Sequence, residues 1–411
     1  MVPPVSTSLR IALVSLHTSP GAEPGSGDAG GMNVVVRNQA EALAAAGHTV
    51  EILTRRSSPE IARKVQLNPR VTLRFLDAGP AAPVPKGDHE DFIDAFRQRM
   101  SALGPYDIIH SHHWFSGMAA LPLAQERRTP HVQSFHSIAA EESTPLSEGE
   151  RPESAGRMAG EAWLARESDA IVAISEAEAD TVVRRLGGIR ECIQVVQPGV
   201  DGTLFRPTKH SARPGLGYVL VAARLQPLKG LDLAIEAVAA VPEAIRPELI
   251  IAGDASSDFD GYVDELRALA ARHGIEHGVR FVGPQNRAKL AVLFREARAV
   301  LIPSHSETYG LVALEAAASG VPVVVAAAGG LREAVVHGTT GVVLESRDPA
   351  VWGQHLSHVL SDHEFAQQLS VSARERAEHL NWPRSAQKLL EVYRRLVLPG
   401  AAGCRHELAI A

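Results

Sequence analysis

Apolar residues gather in short β-branched runs, and between the runs they recur at helical spacing. In the first half the strand-like runs are 10–16, 49–54, 72–76, 108–110, 131–135, 170–174 and 193–196, with helix-like stretches such as 33–46 and 92–103 between them. Strands alternating with helices imply parallel sheets covered on both faces. The segment Gln197-Pro198-Gly199-Val200-Asp201, running on to Phe205-Arg206-Pro207, breaks the rhythm and reads as a linker. The pattern then restarts, with runs at 218–222, 249–252, 279–282, 299–303, 321–325 and 341–344 and helices at 232–241 and 261–273. The expected fold is α/β: two doubly wound, Rossmann-like domains, 1–197 and 208–384, facing each other across a cleft. A last helix within 385–411 is expected to pack back on the first domain. Ligands of such sheets bind at the strands' carboxyl ends, so both halves can contribute to one site.

Composition narrows the function classes. The chain has 411 residues, 45% hydrophobic and 21% charged, with a net charge of −6. That balance argues against broad binding to nucleic acid or anionic membrane. Cys192 and Cys404 are the two cysteines, far apart and without metal-ligand spacing, which argues against a disulfide framework or a zinc site. The start is Pro/Ser-rich without an apolar signal core, and no apolar run approaches the roughly 20 residues that span a bilayer. The expected location is cytoplasmic.

The chemistry concentrates late in the chain. Glu307 and Glu315 bracket Thr308-Tyr309-Gly310-Leu311, where a buried strand gives way to a helix start. A helix N-terminus is a natural seat for diphosphate. The flanking carboxylates would repel phosphate, but they can accept hydrogen bonds from sugar hydroxyls. Arg224 and Lys229, in Arg224-Leu225-Gln226-Pro227-Leu228-Lys229-Gly230, follow the first strand of the second half and can clamp phosphate. Together these features point to a sugar nucleotide. In the first half, Gly27-Asp28-Ala29-Gly30-Gly31-Met32-Asn33 lets backbone approach an anion, although its spacing is not that of a dinucleotide fold. His136 and Ser137 close a buried strand, and Lys86 and Arg157 are further cations. His110, His112 and His113 have no matching carboxylate or cysteine set, so no metal is expected.

These motifs resemble the retaining glycosyltransferases of family 4, which have the GT-B fold, over nearly the whole chain. The Glu307-to-Glu315 element joined to Arg224 and Lys229 is the most specific part. His17-Thr18-Ser19-Pro20, the loop 27–33 and Ser111-His112-His113-Trp114-Phe115-Ser116-Gly117 are similar to a narrower group, the N-acetylglucosaminyltransferases that begin mycothiol synthesis on inositol 3-phosphate. The resemblance implies that Arg224 and Lys229 hold the donor diphosphate and that Glu315 binds the ribose. Glu307, with the backbone of Tyr309, Gly310 and Leu311, grips the sugar. Gly31 lies against the phosphates and His136 stands near the anomeric centre. Asn33, Lys86, His113, Ser137 and Arg157 fall on acceptor positions. It also implies no cofactor beyond the GDP- or UDP-sugar donor, and a homodimer is compatible with it.

The chain departs from the group at the acceptor. His113 replaces tyrosine, Ser137 replaces threonine, Ile174 replaces asparagine, and Glu141-Glu142-Ser143 replaces Val-Lys-Asn. A basic position that has become acidic disfavours a dianionic phosphate. The expectation is therefore a natural-product relative acting on a zwitterion, as in the S-glycosylation of ergothioneine in lincosamide antibiotic synthesis. Lys86 and Arg157 would take the carboxylate, and Glu141 or Glu142 the cation. The alternatives are N-acetylglucosaminyl transfer to inositol 3-phosphate and a non-catalytic sugar-nucleotide sensor.

Overall fold

The structure, a computed structural model, describes residues 8–23, 29–207, 216–254, 259 and 261–398. Gly27 and Asp28 of the glycine-rich loop, the opening of the expected second domain at 208–215, and the end of the 385–411 segment with Cys404 lie outside these residues.

Two parallel-sheet, Rossmann-like domains make up the molecule. The first holds β1 (Arg10–Val14), β2 (Thr49–Arg55), β3 (Lys64–Asn68), β4 (Val71–Leu76), β5 (Ile108–His112), β6 (His131–Ser134), β7 (Ala170–Ala173) and β8 (Ile193–Val195), in the order β3-β4-β2-β1-β5-β6-β7-β8. The second holds β9 (Tyr218–Ala222), β10 (Glu248–Ala252), β11 (Val279–Gly283), β12 (Ala299–Ile302), β13 (Val323–Ala326) and β14 (Val342–Leu344), in the order β11-β10-β9-β12-β13-β14. Strand order reverses between β1 and β5 in one sheet and between β9 and β12 in the other. Ligand crevices of open α/β sheets open at such points.

Most strands are buried apolar runs because helices cover both faces. One face of the first sheet packs Phe96, Phe115, Leu164 and Val182 from its helices, and the other packs Val36, Leu43, Leu389 and Tyr393. Strand β3 had no signal in the pattern. It is an edge strand, antiparallel to β4, and its Lys64, Val65 and Gln66 are exposed. With one partner and one solvated side, it needs no apolar run.

The helix Trp382–Val397 returns to the first sheet and packs along Gly31–Ala45, burying Ala386, Leu389 and Tyr393. Asn381 caps its start, and Pro383 occupies the first turn, where no N–H is needed. Val200 N donates to Leu380 O at 2.9 Å, so the two segments crossing between the sheets lie side by side.

Candidate functional site

Glycines bring the second sheet's loops together. After β9 the chain makes a single turn, Pro227–Lys229, and Gly230 follows at φ +63°. A Cβ on Gly230 would stand 2.1 Å from Pro303 O, so the β9 loop lies directly against the end of β12. His305 N donates to Leu228 O at 2.8 Å and fixes that contact. As a result Lys229 Nζ donates to Glu307 Oε1 at 2.6 Å, and Ser304 Oγ donates to the same oxygen at 2.9 Å. Gly310, at φ +108°, then starts the helix Leu311–Ala318. On that helix Glu315 is buried and paired with Arg287, whose guanidinium stacks over Phe205 at 4.6 Å. Burial raises the Glu315 pKa, and Arg287 counters part of the shift.

The two domains meet at helix starts. A Cβ on Gly31, the first residue of Gly31–Ala45, would approach Leu311 Cδ1 at 3.2 Å. Thr308 Oγ1 donates to His136 O at 2.7 Å, and Ser175 Oγ donates to Thr308 O at 2.6 Å. Glu333 accepts from Glu176 N at 2.9 Å and Ala177 N at 2.8 Å, so a carboxylate of one domain caps a helix of the other.

His136 and His113 follow neighbouring strand ends, at φ +63° and +69°, a strained conformation for side-chain-bearing residues. His136 N donates to Glu178 Oε1 at 2.9 Å, and Ile174 N donates to Glu178 Oε2 at 2.7 Å. Because side chains alternate along β5, His110 and His112 share one face. The result is a buried polar line: Tyr393 OH to His110 Nδ1 at 2.7 Å, His110 Nε2 to Ser134 Oγ at 3.0 Å, and His112 Nδ1 to His136 Nε2 at 2.8 Å. Burial lowers the His136 pKa to about 4 and pushes that of Glu178 up to about 7. His136 is thus neutral near pH 7, with Nδ1 left unpaired.

Lys86, Ser137 and Arg157 come together. Arg157 is fully buried; it donates to Ser137 Oγ at 3.0 Å and Glu161 Oε1 at 2.8 Å, and pairs with Glu153. Lys86 Nζ lies 3.3 Å from Glu150 and 3.7 Å from Glu153. His113 packs on His17 at 4.4 Å between ring centres, 3.9 Å from Glu153. Asn33 is at the edge of this group but uses its side chain locally: Nδ2 donates to Thr18 Oγ1 and Ser19 O, and Oδ1 accepts from Gly30 N. Glu141 and Glu142 are exposed, and neither pairs with Lys86 or Arg157. The expected cation site of the zwitterion reading is not assembled.

Sequence reasoning missed Glu150. Its carboxylate joins the halves of the site, with Arg224 Nη2 at 3.2 Å on one side and Lys86 on the other. It also missed Glu153, Glu178, Arg287 and Glu333. Glu153 and Glu161 stand four residues either side of Arg157, a pairing signal that was readable; the contacts of Glu150, Arg287 and Glu333, and that of Glu178 with His136, are long-range.

Comparison with known proteins defines the class. Sucrose-phosphate synthase from Thermosynechococcus elongatus superposes with a TM-score of 0.84 at 27% identity, covering 94% of this chain and 99% of its own. Anabaena HepE in complex with UDP and glucose, at 20% identity, superposes with a TM-score of 0.75 over 94% of this chain and 99% of its own, and shares the fold. The fold is GT-B. A family described as family 4 glycosyltransferase in conflict systems matches residues 22–389, and the chain belongs to glycosyltransferase family 4. A D-inositol 3-phosphate glycosyltransferase of Xylanimonas cellulosilytica is 37% identical over 403 residues, 93% of this chain and 96% of the relative. The protein is a glycosyltransferase.

Proposed function

We propose that the enzyme moves a sugar from a uridine or guanosine diphosphate sugar to a small polyol phosphate of the inositol 3-phosphate kind, with retention and without a metal. One observation carries this reading: Lys86 and Arg157 stand beside Arg224 and Lys229 around one carboxylate, Glu150, so acceptor and donor anions would sit side by side. The 37% identical relative, named for glycosyl transfer to D-inositol 3-phosphate, supports this reading. The ergothioneine reading is set aside, because the acidic partner it needs at Glu141 or Glu142 lies exposed, away from the cations.

Arg224 and Lys229 would hold the diphosphate, with Gly31 and the start of Leu311–Ala318 against it. Glu315 would take the ribose. Glu307 and the backbone of Tyr309, Gly310 and Leu311 would take the sugar. The acceptor hydroxyl attacks the anomeric carbon on the face the diphosphate leaves, the carbon–oxygen bond to diphosphate breaks, and a diphosphate oxygen takes the hydroxyl proton. Negative charge grows on the leaving group, so cations aimed there lower the barrier. Neutral His136, with Nδ1 free, would orient a sugar hydroxyl.

An acceptor panel tests this. With a UDP- or GDP-N-acetylhexosamine donor, inositol 3-phosphate should be glycosylated and unphosphorylated inositol should not. Turnover on ergothioneine alone would overturn the assignment.

A further inference from the structure

Among the described residues, Glu150 is the one carboxylate that pairs with cations of both domains in the site. Its Oε2 lies 3.3 Å from Lys86 Nζ and 3.6 Å from Arg157 Nη1, and its Oε1 lies 3.2 Å from Arg224 Nη2. Glu150 is the ion-pair partner of Arg224 among the described residues. Lys86, first of all, holds the carboxyl well below the usual range against the cost of burial, with Arg224, Arg157 and Lys229 adding to it.

The backbone beneath it is fixed. Ala140 N donates to Glu150 O at 2.7 Å, Ala139 bridges to the same residue, and Arg185 Nη1 holds Glu148 O at 2.7 Å. With this backbone held, Glu150 would leave the cluster by rotating its own side chain, without opening of the loop. The side chain is 20% exposed, so a route to water exists.

A phosphate placed between Lys86 and Arg157 would meet two of the cations that Glu150 now meets. It cannot share them with a carboxylate at contact distance, because like charges there repel strongly. We propose that Glu150 is a resident stand-in for the acceptor's phosphate and sets acceptor affinity by competing for Lys86 and Arg157. Acceptor entry swings it out; product release lets it return. A neutral polyol cannot displace it. This deepens the acceptor reading above and rests on it.

Glu150→Gln keeps the shape and removes the charge. Steady-state assays should show KM for inositol 3-phosphate falling about tenfold, with kcat within about twofold, since one full competing charge at contact is lost. Glu148→Gln, on the exposed end of the same loop, should change neither. An unchanged or higher KM in Glu150→Gln overturns the proposal, as that is what a fixed structural bridge or a cation-binding carboxylate would give. A second measurement does not depend on the acceptor's identity: calorimetric titration of inorganic phosphate into the UDP-saturated full chain. Tighter phosphate binding in Glu150→Gln with the donor seat filled supports the stand-in even if inositol 3-phosphate proves not to be a substrate. A gain confined to UDP binding places the competed anion on the donor side and overturns it.

Discussion

Lys229 and Glu307 lie 78 residues apart in sequence, and their side chains meet at 2.6 Å. The pair joins the loop after β9 to the loop after β12, the two strands that flank the second sheet's reversal point. Glu307 balances the charge of the lysine. A sugar donor would bring a diphosphate to Lys229 and hydroxyls to Glu307, giving each a new partner. Lys229→Ala should therefore act mainly on the chemical step, lowering kcat by about 10²–10³-fold, with a smaller change in donor KM. Single-turnover kinetics check it, and an unchanged kcat would remove Lys229 from the diphosphate's leaving path.

Polar bonds at one helix start form part of the domain contact, beside the apolar packing of Leu311 on Val34 and Val35. Glu333 caps Glu176–Leu186 across the interface, while Ser175 and Thr308 link the same helix start to His136 O. Loss of a cap costs about 0.5–2 kcal/mol. Glu333→Ala should thus favour an open cleft: a larger radius of gyration by small-angle scattering and a raised donor KM, with each domain still folded. Scattering identical to the wild type would show that the contact contributes nothing to closure.

Glycine tests whether the helix start is built as tightly as the donor seat requires. Gly310 sits at φ +108°, and a Cβ there would lie 2.5 Å from Leu331 Cδ2. Gly310→Ala is strained by both backbone and packing, with an expected loss of about 1–3 kcal/mol. Chemical denaturation should show that loss, together with weakened UDP binding.

The elements were legible because helices cover both sheet faces and force apolar runs into almost every strand. β3 escaped because one side of it faces water. Lys229 and Glu307 were readable as candidates because each follows a strand end, where ligands of such sheets bind. Glu150 was not, because nothing near it in sequence marks it; a fixed loop carries it to cations that the fold gathers from three separate segments. Asn33 shows the converse, a residue on an acceptor position whose side chain is committed to holding its own loop. Glu141 and Glu142 replace part of the related group's Val-Lys-Asn segment, but position and charge do not tell which way the loop turns their side chains, which are exposed.

The buried histidines predict acid sensitivity, with a sign that can be split between two variants. His17, His110, His112 and His113 are driven well below the usual histidine pKa, and His136 to about 4, burial being the largest cause for each. Unfolded, each would titrate near 6.5. Between 4 and 6.5 the unfolded chain therefore binds more protons, so this stabilisation is complete above pH 6.5 and is lost as pH falls. Glu178 opposes it. Burial raises its pKa to about 7 from an unfolded value of 4.5, so the folded chain holds the extra proton and this contribution shrinks as pH rises through 7. Several histidines outweigh one glutamate, and Tm should drop from pH 7 to pH 5. Each proton changes the slope by at most about 1.4 kcal/mol per pH unit. His113→Phe, which removes one buried ring with neither nitrogen hydrogen-bonded, should flatten the stability–pH slope between 5 and 6.5. Glu178→Gln removes the opposing group and should steepen it. Denaturant unfolding of both variants at pH 5, 6 and 7 gives the two slopes, and changes of the same sign would show that burial does not hold these groups neutral.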